Sequence, residues 1–562
     1  METPGSEFSW RKLSPDPPAT PGAVVYSRPL TGMERMYALI ERSMPGHNQP
    51  FLGAHISISS PTSSSSESAP GITLSTLQAF ALNSWIKTRY QYPMVACKLQ
   101  LEDRGPGSQM MYYQVEDEAS VGRWADRTFK VIVAEGGWTV LREKLSVEFD
   151  LPSERDGDCC FFYIIVDPAQ LASNSDPVQS FDILLHIHHA LADGPGLKTV
   201  LHSIISSFSV SSSFGASEEF LWGEEAKCGL MPAQVDIATD EELAGVQEDV
   251  DDKAVMDMMA GVVLPDRGLP LYRPSILTTS RSTRGSAVIS HTFPSPSFLP
   301  SLLSLSRSHG MTITHLITAA LAIVVHSTNI AASASEFVDG PRSSPTEKYV
   351  YASAVDPRNG RIRPPYCDPN VYVFNTTGVH IFDIPVSLFD KGHNQNESVR
   401  SEEVVFWRIA RRIKESYDDL KTKKGLIGNG QLWLSKFVEM AKTQGTASIE
   451  EANTPPPKPQ TCPYFVSDPP GSLQLQPSYP LALPKSSTST STPLTQTLIL
   501  ESFQLCPSDN WAKVGARSHS WNGLLTLALN FNYVRNPREE MHRLLEEWTA
   551  VLERIVVGAE KS

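Results

Sequence analysis

At 562 residues the chain is too long for one hydrophobic core, and 41% hydrophobic with 20% charged residues is an ordinary globular balance, so two large domains are expected. A formal charge of −14 and an isoelectric point near 5.5 speak against nucleic acid or an anionic membrane as the main partner, because both reward dense lysine and arginine. The longest apolar run, after Thr314, reads as too short to span a bilayer, and residues 1–22 carry proline and charge where a signal peptide needs an apolar stretch, so a cytoplasmic location is expected.

In chain order, residues 1–22 are expected to be disordered, and 60–68 form a serine-rich loop. Phe181, Ile183, Leu185 and Ile187 alternate with residues of the other parity, including Asp182 and His186, which is the period of a half-buried strand. Beyond it Leu197, Val200, Leu201, Ile204, Ile205 and Phe208 recur at helical spacing, with Pro195 where a first helical residue tolerates the lost N–H. An acidic stretch at 240–257 reads as a solvated, partly helical linker within 211–285. Residues 330–346, 391–402 and 454–459 read as surface loops or disorder. The chain closes with a helix begun by Pro537, whose Met541, Leu544, Leu545, Trp548, Val551, Leu552 and Ile555 form one core-facing side. Seven scattered cysteines (97, 159, 160, 228, 367, 462 and 506), with no C-x-x-C among them, are expected to be reduced and inert. Asn375 and Asn396 head glycosylation sequons that have no consequence without secretion.

The residues with the most chemistry stand at the junction of that strand and helix, where His188, His189, Asp193 and Gly194 spell H-H-x-x-x-D-G. Continuing the strand sends His188 and His189 to opposite faces. An imidazole of ordinary pKa, about 6.5, is largely neutral at neutral pH and can take a proton from a hydroxyl or amine. The positive end of the following helix favours a developing oxyanion, which suits attack on an activated carbonyl. His188 and His186 also read as packed core histidines. The H-x-H start suggests a metal site only weakly, since Leu191 and its neighbours stand where metallo-hydrolases need aspartate, so no metal is expected. Asp193 also reads as a helix cap.

This constellation resembles the CoA-dependent acyltransferase superfamily, which contains chloramphenicol acetyltransferase, the plant BAHD enzymes, the condensation domains of peptide synthetases and fungal O-acetyltransferases such as trichothecene 15-O-acetyltransferase. The resemblance implies that His189 is catalytic, that His188 is structural, that Asp193 holds the loop through an arginine of the other half of the fold, and that Gly194 leaves room for a substrate channel. Weaker similarities extend along the chain. Residues 73–99 resemble the family's early helix, Tyr-Pro turn and strand. Residues 310–325 resemble the buried helix that opens the second half. Residues 349–362 resemble a strand and turn that would supply Arg358 as the partner of Asp193, with Arg361 and Arg363 as rivals, and 369–378 resemble a strand beside the channel. The BAHD Asp-Phe-Gly-Trp-Gly signature is absent, and residues 521–532 are similar instead to the penultimate strand of condensation-type and fungal members. No carrier-protein serine motif or adenylation signature is found, so the acyl donor comes from outside the chain.

The resemblance implies an α/β architecture, an α+β sandwich of two chloramphenicol-acetyltransferase-like domains forming a tunnel at their interface, with mixed or antiparallel sheets and helices on one face. The expected division is 23–210, a linker at 211–285, and 286–562. The expected activity is transfer of an acyl group, most simply acetyl from acetyl-CoA, to a hydroxyl of a secondary metabolite such as a terpenoid or polyketide. Acyl-CoA is then a co-substrate with no bound cofactor, and the enzyme a monomer. Ser520, Asn375 and Thr376 are candidate oxyanion or tunnel residues. Two alternatives are a condensation-like enzyme using a carrier-bound donor or an amine acceptor, and a non-catalytic binding protein that keeps the fold.

Overall fold

The computed structural model describes residues 6–13, 24–43, 45–59, 71–101, 109–171, 177–210, 220–245, 269–270, 284–334, 348–390, 398–430, 432, 460–468, 474–482, 495–510 and 513–561. The expected loops at 60–68 and 454–459, most of the linker and Asn396 lie outside these residues. Part of the N-terminal segment does not: Arg11–Leu13 form strand β1, and the indole N–H of Trp10 donates to Met231 O at 2.8 Å.

The chain divides into two compact units that are discontinuous in sequence. The first comprises Met1–Thr239, Arg358–Thr376 and Leu473–Ser508, and the second Asp240–Pro357, Thr377–Ser472 and Asp509–Ser562. Two segments from the later half of the chain thus pack with the first unit, which the continuous boundaries expected from sequence do not include. A discontinuity of this kind leaves no mark in composition or periodicity.

In the first unit, β1, β2 (Val25–Pro29), β5 (Met110–Gln114) and β4 (Lys98–Gln100) form a small antiparallel sheet in the order β1-β2-β5-β4. The larger sheet runs β15-β16-β3-β8-β7-β6, from β3 (Phe51–Ser59), β6 (Phe129–Val133), β7 (Cys160–Val166), β8 (Ser180–Ile187), β15 (Ser478–Ala482) and β16 (Thr495–Leu505). All its pairs are antiparallel except β6 with β7. Helices α1 (Gly32–Ser43), α2 (Leu74–Gln91), α3 (Glu118–Thr128), α4 (Gly137–Glu148), α5 (Gly194–Val210) and the short α6 (Glu224–Gly229) belong to this unit. Local chemistry sets the helix starts. The Glu34 carboxylate reaches back to accept the backbone N–H of Thr31 at 3.0 Å, and Thr73 and Asp117 accept the N–H groups of Thr76 and Ser120.

Helices cover this sheet on both faces, not one. Phe181 packs on Phe208 of α5 on one side, and on the other the Trp138 ring of α4 sits where a Cβ on Gly53 would lie 2.2 Å from it. This second cover changes β8 from the half-buried strand expected to one buried from Ile183 to Ile187, including Leu184 and His186.

In the second unit, β10 (Ser286–Thr292), β11 (Lys348–Val355), β12 (Gly378–Pro385), β14 (Tyr464–Ser467), β17 (Gly515–Trp521) and β18 (Leu524–Asn532) form a mixed sheet in the order β10-β18-β17-β14-β11-β12. Strand β14 runs parallel to both neighbours. The remaining strands, β9 (Leu269–Pro270) and β13 (Gln460–Thr461), pair with each other. Residues 521–532 hold β18, the last strand of this sheet in chain order and the one beside its β10 edge. Trp521 ends β17, and Asn522 and Gly523, with φ of 48° and 78°, make the tight turn into β18.

The leucines of β18 (525, 527 and 529) and Phe531 pack with α8 (Phe298–Ser308), α9 (Ile313–Ala334), α10 (Ser398–Thr422) and α11 (Arg538–Lys561) in one core; α7 (Asp240–Ala244) belongs to this unit too. Helix α9 continues through residues expected as a loop, as α10 does at 398–402. Residues 313–330, with mean hydropathy 1.5, have the length and composition of a membrane span, contrary to the sequence reading, and 72% of that stretch is buried inside the core. Trp548 of α11 is fully buried and its indole N–H donates to Ile317 O at 3.0 Å. Trp548→Ala is expected to cost about 3–5 kcal/mol, read as a lower denaturant midpoint of the second unit; an unchanged midpoint would show that α11 does not lock this core.

Candidate active site

The motif occupies the turn between β8 and α5, where Leu191 N–H donates to His188 O at 3.0 Å and α5 begins at Gly194. His188 follows the end of β8 and is 1% exposed. Its Nδ1 accepts the Ala190 N–H at 3.1 Å, which places the ring proton on Nε2. Burial, and secondarily the neighbouring His189, push its pKa down to about 3, so it is neutral at physiological pH. His186 is also buried; its Nε2 lies 2.6 Å from Gln49 Oε1 and its ring stacks on Phe51 at 4.0 Å. Burial pushes its pKa well down. Both have the surroundings of packed core histidines.

His189 is set differently. It is half-buried, its ring lies parallel to Tyr37 of α1 with centroids 3.8 Å apart and planes 10° from parallel, and its Nδ1 is 3.1 Å from Ala192 O. A backbone carbonyl only accepts, so this contact assigns the proton to Nδ1 and the lone pair to Nε2. The ring is thus oriented by a neutral group, with its lone pair on the opposite nitrogen.

Asp193 anchors the loop. Its Oδ2 is 2.9 Å from Nη1 of Arg358, and its Oδ1 is 3.2 Å from Nη2 and accepts the Gly196 N–H at 2.9 Å. The same Oδ2 accepts the backbone N–H of Thr376 at 3.0 Å and its hydroxyl at 2.9 Å. Burial alone would raise the Asp193 pKa, but Arg358 and these donors outweigh it and hold the carboxyl below the usual carboxylate range. Capping and ion pairing, the two roles weighed from sequence, coexist. Arg358 Nη2 also donates to Tyr372 O and Phe374 O, which fixes the 372–376 segment against the motif. The rival arginines lie elsewhere: Arg361 O accepts the Thr239 N–H, and Arg363 is exposed, with its guanidinium against Asp236 O.

Other sequence-predicted residues take different places. Gly194 gives room to a leucine, since a Cβ there would meet Leu505 Cδ2 of β16 at 2.7 Å. Gly196, not singled out from sequence, is more constrained, because its Cβ would stand 2.1 Å from Val373 O. Residues 369–377 form turns and a single bridge, Ala192 to Phe374, and no strand. Thr376 directs its N–H and hydroxyl to Asp193, and Asn375 donates from Nδ2 to His189 O at 2.7 Å, so both support the motif from behind. Ser520 is in the second unit, where β17 register sets it opposite Leu525 on the face that carries the leucine core. Tyr37 was not visible from sequence, since an aromatic on an amphipathic helix reads as core.

Among the described residues no group of three or more His, Cys, Asp or Glu side chains is placed to hold a metal ion. Burial pushes the Cys97 and Cys462 thiols up to about 12, and those of Cys159 and Cys160 upward as well, which suits inert thiols and not nucleophiles.

Asp193→Asn would leave the Arg358 charge buried without its counter-charge and is expected to cost about 3–5 kcal/mol in urea denaturation; a loss within error of zero would mean the pair is dispensable. His188 carries the opposite kind of linkage from a partnered cation. Its folded pKa lies below its unfolded value of about 6.5, so its contribution is complete above that pH and is lost as pH falls toward about 3. His188→Asn keeps an acceptor for Ala190 N–H and removes the titration, so its denaturation midpoint should fall less steeply than wild type below about pH 6.5. Equal slopes would count against this assignment.

The family model of 15-O-acetyltransferase Tri3 matches residues 6–295, a stretch that contains the whole motif. No curated protein matches the sequence. Among solved structures, TRI3 trichothecene 15-O-acetyltransferase from Fusarium sporotrichioides is similar with a TM-score of 0.73 at 16% identity over 98% of each chain. The first condensation domain of the calcium-dependent antibiotic synthetase gives 0.52 at 12% identity, over 94% of this chain and 96% of that one. A four-domain nonribosomal peptide synthetase gives 0.54 at 12% identity, with 98% of this chain on 34% of that one. These likenesses place the fold with the chloramphenicol-acetyltransferase-like enzymes. On the family match, the chain belongs to the Tri3 15-O-acetyltransferase family and is an acyltransferase.

Proposed function

We propose that this acyltransferase moves an acyl group, most simply acetyl, from acyl-CoA to a hydroxyl of a secondary metabolite of terpenoid or polyketide type, with His189 as general base. One observation carries the reading: the Nδ1 contact to Ala192 O leaves the lone pair on Nε2 of a half-buried ring. Its neighbours His186 and His188 are buried and held neutral by core contacts. The hydroxyl acceptor follows from the family's O-acetyl transfer, and the metabolite class from the trichothecene enzyme that the fold resembles.

In this mechanism Nε2 takes the proton of the acceptor hydroxyl as its oxygen attacks the thioester carbonyl, forming the C–O bond and a tetrahedral oxyanion. Collapse breaks the C–S bond, and the proton on Nε2 passes to the departing thiolate, giving the ester and free CoA thiol. The phenol ring stacked on His189 covers one face of the imidazole and steadies the plane in which the Nε2 lone pair lies. A thiol of pKa about 8.5 is a good leaving group, so positioning the hydroxyl and stabilising the oxyanion account for most of the work.

The test is thiol release from acetyl-CoA and longer acyl-CoAs, with a panel of hydroxylated terpenoids and polyketides, for wild type beside His189→Ala. Acceptor-dependent release that falls about 10²–10⁴-fold in the variant, with an unchanged melting temperature, is expected. Turnover only with acylated carrier protein would replace CoA as donor, and full activity in His189→Ala would remove the base assignment.

A further inference from the structure

Two neighbours of the His189 ring make opposite demands on Nδ1. Ala192 O, at 3.1 Å, requires a proton there, whereas the Asn375 amide nitrogen, at 3.4 Å, only donates and would require a lone pair. The amide is turned this way because Nδ2 also donates to His189 O at 2.7 Å, the shorter and stronger contact. Asn375 is 1% exposed, and its chain neighbours are pinned by Arg358 at Phe374 O and by Asp193 at Thr376, so the amide has little freedom to withdraw. The geometry points to Asn375 as a positioning residue: by gripping the backbone carbonyl of His189, it holds Nδ1 against Ala192 O and so keeps Nε2 as the base.

The position also explains a choice of side chain. Asn375 stands beside Nδ1 much as the carboxylate of a Ser-His-Asp triad stands beside its histidine, yet it is neutral. Among the described residues the Tyr37 phenol stacks on the ring and His188 is its chain neighbour, while the charge of Asp193 in the same loop is matched by Arg358. A carboxylate at 375 would add an uncompensated negative charge, favour the imidazolium, and reduce the share of neutral base near pH 7.

The inference rests on His189 being the base, and the experiment separates the two. Steady-state kinetics of the full chain with acetyl-CoA and an accepted hydroxylated substrate are compared for wild type, His189→Ala, Asn375→Ala and Asn375→Asp, each normalised to its folded fraction by circular dichroism. Asn375→Ala should lower kcat about 10–100-fold with both KM values changed far less. Asn375→Asp should move the ascending limb of the kcat/KM pH profile upward by about one unit, which a purely structural role would not do. Should Asn375→Asp not fold, the kcat-against-KM split of Asn375→Ala decides the matter alone. Wild-type kcat and pH profile in the folded Asn375 variants, with His189→Ala inactive, would overturn this inference and leave the base assignment standing; an active His189→Ala would overturn both.

Discussion

The buried pair of Asp193 and Arg358 is the constraint on which the active-site architecture depends. Taking either charge out of water is costly, and each alone would be untenable at this depth. Together they are satisfied because the carboxylate accepts from Gly196, from the guanidinium and twice from Thr376, while the guanidinium continues to two backbone carbonyls. One ion pair thereby joins the start of α5 to the 372–376 segment, whose Asn375 holds His189. The pair carries no chemistry of its own. It fixes the distance between two pieces of chain that together set the orientation of a single imidazole.

Against that anchor, three histidines within four residues have three fates, and burial decides among them. His186 is packed under α4 between aromatic rings, and His188 is turned into the loop, where its Nδ1 serves a backbone N–H. Both are neutral because no compensating charge offsets the loss of water. His189 alone combines partial exposure, a stacked support and a neutral acceptor behind Nδ1. The doubled histidine of the motif thus pairs a buried ring with a half-buried one.

What the sequence disclosed was what local rules govern. The alternation of Phe181 to Ile187, the Pro195 helix start and the terminal helix around Trp548 all depend on neighbours within a few residues, and each lies where the pattern puts it. Arg358 could be named only through family resemblance, since 165 residues separate it from Asp193 and no period links them. Tertiary context overrode the pattern elsewhere. His186 and Leu184 are buried because α4 covers a face that alternation assigns to water, and residues 369–377 look like a strand but find only one bridging partner. Asn375 and Thr376 read from sequence as oxyanion or tunnel residues, and the structure turns their donors to His189 O and Asp193, a direction that side-chain type does not reveal.

The discontinuity of the first unit bears on how the chain is made. During synthesis the histidine motif leaves the ribosome long before Arg358 does, and β3 must wait still longer for β16, its partner strand at Thr495–Leu505. Until then Asp193 lacks its counter-ion and a central strand of the sheet is an open edge, the kind of surface that recruits other chains. The first unit is therefore completed only after the chain has passed Ser508, and until then its β3 edge stays open to other chains.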